Sequence, residues 1–249
     1  MSRHRAPPLS RPGAALSPGS VDLPRAGLLA IGLIVAAGAA AYANSFRGVF
    51  VLDDVYEIEK NPAIRRLWPP DVPMLGGPGL PRRPIPYYTF ALNYALDGNR
   101  VWGYHLVNLA VHLACALLLF GIVRRTLSEG RLASRYARSA TGIALAAVIL
   151  WTVHPLQTQA VTYVYQRLES LMGMLYALTL YCFVRGARAA GGRRWLWGSI
   201  AACALGMASK EAMVTAPLVV LWYDRVFVAG SWKEIAGRRW KYHAALAST

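Results

Sequence analysis

Apolar residues in this chain come in long runs separated by short basic or polar stretches, and the runs show no strand-like alternation. Residues 26–43 form the first run. Within it Gly32, Ala36 and Ala40 recur every four residues, a stripe of small side chains along which another helix can approach closely. Runs at 104–123, 139–153, 168–184 and 212–229 each predict a membrane-crossing helix, the one at 139–153 somewhat short. The run at 195–208 is only about two thirds of a normal span and suits a re-entrant segment. A seventh run begins at Tyr242. The pattern predicts an all-α, polytopic membrane helix bundle of about six to seven spans. Between the first two runs, residues 45–103 make a polar, Pro-rich outer loop too long to be a tight connection. Inside it the stretch PYYTFALNYAL (86–96) is aromatic and apolar but too short to span, which predicts a helix lying at the interface.

Composition and charge turn this pattern into a topology. A chain with 55% hydrophobic and 16% charged residues is not an ordinary soluble globule. Its net charge of +15 would suit nucleic acid if the basic residues formed one patch. Instead, 18 of the 27 lysines and arginines fall between alternate runs, which puts the N-terminus in the cytosol and leaves no nucleic-acid partner. Residues 1–25, rich in Pro, Ser and Arg, are expected to be a disordered basic cytoplasmic tail, with 26–249 as the membrane domain. A rival reading is a secretory signal peptide, since Ala41-Tyr42-Ala43 resembles a cleavage site, although the basic region is long for one. Cys115, Cys182 and Cys203 are odd in number and have no metal-ligand spacing, so neither a disulfide framework nor a zinc site is read from them.

This topology places Asp53-Asp54, Arg82-Arg83, His154, Arg167, Glu169 and Lys210-Glu211 together on the non-cytoplasmic side. Adjacent carboxylates in a membrane-bounded cavity can take a proton from a hydroxyl, hold a divalent cation, or both. Each residue also has a plainer reading: a solvated loop for the acids, a helix end at His154-Pro155 and a local pair for Arg167 and Glu169. His105, Asn108 and His112 share one face of the second run and read as interhelical hydrogen-bonding groups rather than a metal site.

Three segments carry a resemblance: RRPIPYYTFALNYALDGNRVWGYHLVNLAVHLACALLLF (82–120), VHPLQTQAVTYVYQRLESL (153–171) and ASKEAMVTAPLVVLWYD (208–224). Together they resemble the N-terminal membrane half of the O-mannosyltransferase-like proteins that carry tetratricopeptide repeats, of the GT-C glycosyltransferase class. The resemblance implies a polyprenyl-phosphate-linked sugar donor, with mannose favoured, and a hydroxyl acceptor, typically a protein Ser or Thr. By it the catalytic aspartate falls at Asp53-Asp54, the Arg-Pro at Arg83-Pro84, the His-Pro at His154-Pro155 and the Lys-Glu at Lys210-Glu211. For such a donor, Arg83, Arg167 and Lys210 are the cations on the correct side to bind its phosphate, with His154, Gln159, Glu169 and Glu211 expected in supporting places. Many members have Thr-Glu where this chain has Thr158-Gln159, which removes a second acid; no cofactor is expected, and a divalent metal is not favoured. No 34-residue helical repeat occurs in the sequence, so a truncated chain is expected. The Ala, Arg and Gly bias points to a bacterial inner membrane. The alternative is a non-catalytic membrane scaffold, or an inactive fragment, that binds a partner through the outer loop.

Overall fold

A computed structural model describes residues 23–68 and 83–249. Up to residue 22 the expected basic tail lies outside the described residues, and so does Arg82. Helix α1 (Leu23–Ala41) is followed by a 3-10 turn (Ala43–Arg47), a π turn (Val55–Glu59) and a second 3-10 turn (Pro62–Arg65). Next come α2 (Pro84–Asp97), α3 (Val101–Ser128), the single turn α4 (Ala133–Tyr136) and α5 (Ala140–Thr152). The short α6 (Thr158–Thr162), α7 (Arg167–Gly186), α8 (Arg193–Met207), α9 (Ala216–Tyr223), α10 (Trp232–Arg238) and α11 (Trp240–Ala247) complete the order, and no strand occurs among the described residues. The chain is an all-α membrane helix bundle.

Three stretches are long and apolar enough to cross a membrane: Arg25–Arg47, Val101–Ser128 and Val164–Gly186. Two more arise if each bent pair counts as one span: Ala140–Thr152 with Pro155–Thr162, bent by 55°, and Glu211–Val228 with Trp232–Arg238, bent by 113°. The six to seven spans expected from the runs therefore become three to five by length and composition. Helix α8 has 15 residues and rises about 22 Å, short of a hydrocarbon layer of about 30 Å, and α11 has only eight residues.

Helix α1 packs on α3 and α5 through Ala30, Ile34 and Gly38, while Leu28, Leu29 and Leu33 point outward as lipid-facing residues would. The small-residue stripe expected at Gly32, Ala36 and Ala40 is exposed instead. The close approach occurs at Gly38, where a Cβ would meet Leu113 at 2.6 Å and Thr152 at 3.0 Å, whereas one on Gly32 would meet nothing. Neighbouring bulk rather than the repeat of small residues selects the packed face.

Helix α3 connects the two ends of the bundle. Near its start, Asn108 donates to the carbonyls of Tyr163 and Val164, both at 3.3 Å, and Nε2 of His112 lies 3.0 Å from the carbonyl oxygen of Thr152. These two side chains act as the interhelical groups the sequence predicts; His105 is buried on the same helix. At the end of α3, Arg124 lies against Gly27 at the start of α1, so α1 and α3 run antiparallel. Asn108 meets Arg167, and Gly121 meets Tyr181, so α3 and α7 run parallel.

The outer loop folds onto the first of these ends. Ile58, Ala63, Ile64, Phe90 and Ala91 bury themselves against Tyr104, Val164 and Leu168. Helix α2 covers the expected stretch 86–96, opens on Pro84, whose ring suits a first turn, and stops at Gly98, whose φ of 59° suits a residue without Cβ. The backbone N–H of Ile85 donates to the carbonyl of Ala208 at 3.4 Å, tying the start of α2 to the residues after α8.

Candidate active site

The acidic pair sits on a turn whose backbone separates its two members. Leu52 has a φ of 49°, an uncommon value for a residue with a Cβ, and the strain of such a conformation persists only where surrounding contacts enforce it. The contacts here come from Asp54. Its side chain is fully buried, and its carboxylate accepts from the backbone N–H of Tyr165 at 2.7 Å and of Val51 at 3.2 Å. Burial pushes the Asp54 pKa up, and the backbone donors at Val51, Tyr165 and Val164 partly offset that. Asp54 thus pins the turn to residues 163–165, and its oxygens do not face solvent.

Asp53 points the other way and is exposed. The Tyr163 hydroxyl donates to its carboxylate at 2.8 Å and accepts from its backbone N–H at 3.1 Å. Burial first, and the hydrogen bond to Asp53 second, push the Tyr163 phenol up to about 12, so it remains a donor at neutral pH. Beside it the Tyr87 hydroxyl donates to Glu57 at 2.6 Å and lies 3.4 Å from the Tyr165 hydroxyl. Burial, followed by the bonds to Glu57 and Tyr165, raises the Tyr87 pKa.

Cations reach this end from two sides. Arg83, at the start of α2, donates through one nitrogen to both oxygens of Glu211 at 3.1 Å. Lys210 pairs with Glu169 on the first turn of α7. Both cations are largely covered, with side chains 19% and 22% exposed, while Glu211 is 68% exposed. The Arg83 Nε is buried without a partner among the described residues.

Arg167 does not belong to this exposed set. It is fully buried; its Nε donates to Asn108 at 2.7 Å, its Nη1 to Asn93 at 2.6 Å and its Nη2 to the carbonyl of Tyr104 at 3.0 Å. Its guanidinium carbon lies 4.6 Å from the centre of the Phe90 ring. A group enclosed in this way crosslinks α2, α3 and α7 and cannot reach a lipid phosphate, which corrects the expectation for this residue. His154 is exposed, and its Nδ1 accepts from the Leu156 N–H at 3.2 Å, the helix-end role of a cap. Gln159 is exposed on α6. Neither pairs with the acids or cations of this end among the described residues.

Asp53, Asp54, Arg83, Glu169, Lys210 and Glu211 thus make three separate sets of contacts at this end: the aspartates with residues 163–165, Arg83 with Glu211, and Lys210 with Glu169. A cavity of about 200 Å³ adjoins Glu169 between α3, α5 and α7, and Gln157, Ser170, Trp151 and His112 line it. Sequence reasoning did not single out Tyr163, Tyr165, Gln157 or Asn93. Two tyrosines two residues apart in VTYVYQ, just past a proline-broken helix, were the available signal. Among the described residues no group of three or more His, Cys, Asp and Glu side chains is placed to hold a metal ion.

A family model described as dolichyl-phosphate-mannose-protein mannosyltransferase matches residues 78–248. Asp53 and Asp54 precede the matched stretch. The protein O-mannosyl-transferase Tmtc3 of Drosophila melanogaster is 28% identical over 89% of this chain and 27% of its own length. For TMTC1 of Mus musculus the identity is 30%, over 65% of this chain and 18% of the relative. TMTC2 of Homo sapiens is 28% identical over 78% of this chain and 23% of the relative. The chain therefore spans about a quarter or less of these relatives' length. No solved structure matches.

Proposed function

Since this chain belongs to the dolichyl-phosphate-mannose-protein mannosyltransferase family, we propose that it transfers a mannosyl group from a polyprenyl-phosphate carrier to a protein Ser or Thr hydroxyl, as a GT-C type enzyme. In this reading Asp53 is the base. It takes the proton of the acceptor hydroxyl as that oxygen bonds to the anomeric carbon. The bond from the anomeric carbon to the phosphate oxygen breaks with its electron pair, and polyprenyl phosphate leaves with one more negative charge. Arg83 and Lys210, each partly exposed, stabilise that charge. Tyr163 positions Asp53 through its 2.8 Å bond, and Asp54 holds the turn. Localisation in a bacterial inner membrane with the N-terminus in the cytosol belongs to the same proposal.

The observation that supports this reading is that an exposed carboxylate at position 53 and two partly covered cations at 83 and 210 stand at the same end of the bundle. Transfer of labelled mannose from polyprenyl-phosphate mannose to a Ser/Thr peptide tests it, using membranes that carry the full chain. Asp53→Asn should abolish transfer at unchanged protein level and unchanged thermal unfolding. Transfer at the wild-type rate in that variant would refute the assignment.

A further inference from the structure

At the opposite end of the bundle, α1, α3 and α7 enclose a pocket of about 220 Å³. All three of its walls belong to the stretches long and apolar enough to cross a membrane. The floor is apolar, made by Ile31, Leu117 and Phe120, and the rim is polar, made by Arg124, Arg125 and Ser128. We propose that this pocket binds the phosphate of an anionic membrane phospholipid, with the first segment of an acyl chain on the apolar floor. The site stands apart from the transfer reaction and from every residue assigned to it.

Charge accounting favours such an occupant. Glu129 is the carboxylate at the rim, and it faces Arg125 at 2.7 Å and Arg188 at 4.0 Å. Arg124 has no ion pair among the described residues, and its guanidinium lies against Gly27 of α1. Among the described residues, one carboxylate beside the three guanidiniums of Arg124, Arg125 and Arg188 leaves net positive charge at a half-buried position, where an anion is held more strongly than in open water. Basic pockets between membrane helices are where lipid phosphates bind, and the apolar floor distinguishes a lipid from a free anion.

The test uses the full chain in bilayer discs of phosphatidylcholine with one tenth phosphatidylglycerol, with retained lipid counted by native mass spectrometry. The wild-type chain should retain one phosphatidylglycerol in preference to phosphatidylcholine. Arg124→Gln should weaken that retention by about fivefold, the worth of one interfacial cation, and Arg124→Lys should restore most of it. Arg193→Gln with Arg194→Gln removes two exposed charges from the same end outside the pocket and should leave retention unchanged. Equal loss in that control would overturn the proposal in favour of a diffuse surface charge effect. Displacement by millimolar inorganic phosphate would overturn it in favour of a free-anion site. If Arg124→Gln loses its fold, the wild-type chain still decides the matter, since no preference for phosphatidylglycerol would overturn the site.

Discussion

Arg167→Leu should destabilise the fold far more than it weakens donor binding. The guanidinium makes three hydrogen bonds of 2.6–3.0 Å, to Asn93, Asn108 and the carbonyl of Tyr104, and the substitution strands all three acceptors in the interior. Each stranded buried acceptor costs about 1–3 kcal/mol. Relief from burying a charge offsets part of this, which leaves a net loss of roughly 3–5 kcal/mol, the range seen when one partner of a buried charged contact is removed. Arg167→Lys keeps the charge but presents a single nitrogen to acceptors spread around a planar fork, so about half that loss is expected. Against a typical stability of about 5–15 kcal/mol, either change is a large fraction. Equilibrium unfolding of the full chain in mild detergent measures it, with Glu211→Gln alongside, a side chain 68% exposed whose loss should cost far less. If Arg167→Leu unfolded within about 1 kcal/mol of wild type and instead raised the KM for the polyprenyl-phosphate donor, the structural role assigned here would be wrong.

The two adjacent aspartates should separate by readout. Asp54→Asn leaves one of the two backbone donors at Val51 and Tyr165 without its acceptor and should lower stability by about 1–3 kcal/mol, whereas Asp53→Asn should spare stability and remove transfer. Because burial raises the Asp54 pKa in the folded state, its protonation favours folding at pH values below the ordinary aspartate pKa. That contribution is lost as pH rises through the raised value, so the stability gap between wild type and Asp54→Asn should be widest in acid and narrow upward; a gap that widens with pH would contradict the buried placement. Tyr163→Phe should lower kcat without a matching change in acceptor KM, since it removes a positioning contact; an effect confined to KM would count against that role. Swapping the pair as Arg83→Glu with Glu211→Arg should keep unfolding within about 1 kcal/mol of wild type yet impair transfer, and restored transfer would show that only the ion pair matters. Gly192→Ala should destabilise the α7–α8 turn more than Gly191→Ala, because a Cβ at 192 runs into the Gly186 backbone carbonyl, whereas at 191 it meets no neighbour and costs only the strain of a φ of 72°. Equal unfolding temperatures would contradict that packing.

The sequence alone determined where helices lie, because the length of an apolar run is a local property. The runs at 26–43, 104–123, 139–153 and 168–184 correspond to α1, α3, α5 and α7, and the aromatic stretch at 86–96 to α2. It also brought the acids and the later lysine to the same end, since alternating basic turns set the direction of successive helices. Only the tertiary structure decided which of two neighbouring carboxylates is open. That choice depends on the Tyr165 N–H, 111 residues from Asp54, closing over one of them. Arg167 follows the same logic: its partners Asn108 and Asn93 stand 59 and 74 residues away, so its burial could not be read from the residues around it. The face of α1 is a third case, because spacing offers several small-residue stripes and the bulk of Leu113 and Thr152 selects the one at Gly38. In each case, contacts between residues distant in sequence set the direction a side chain faces, and the local pattern of apolar and polar residues does not encode those contacts.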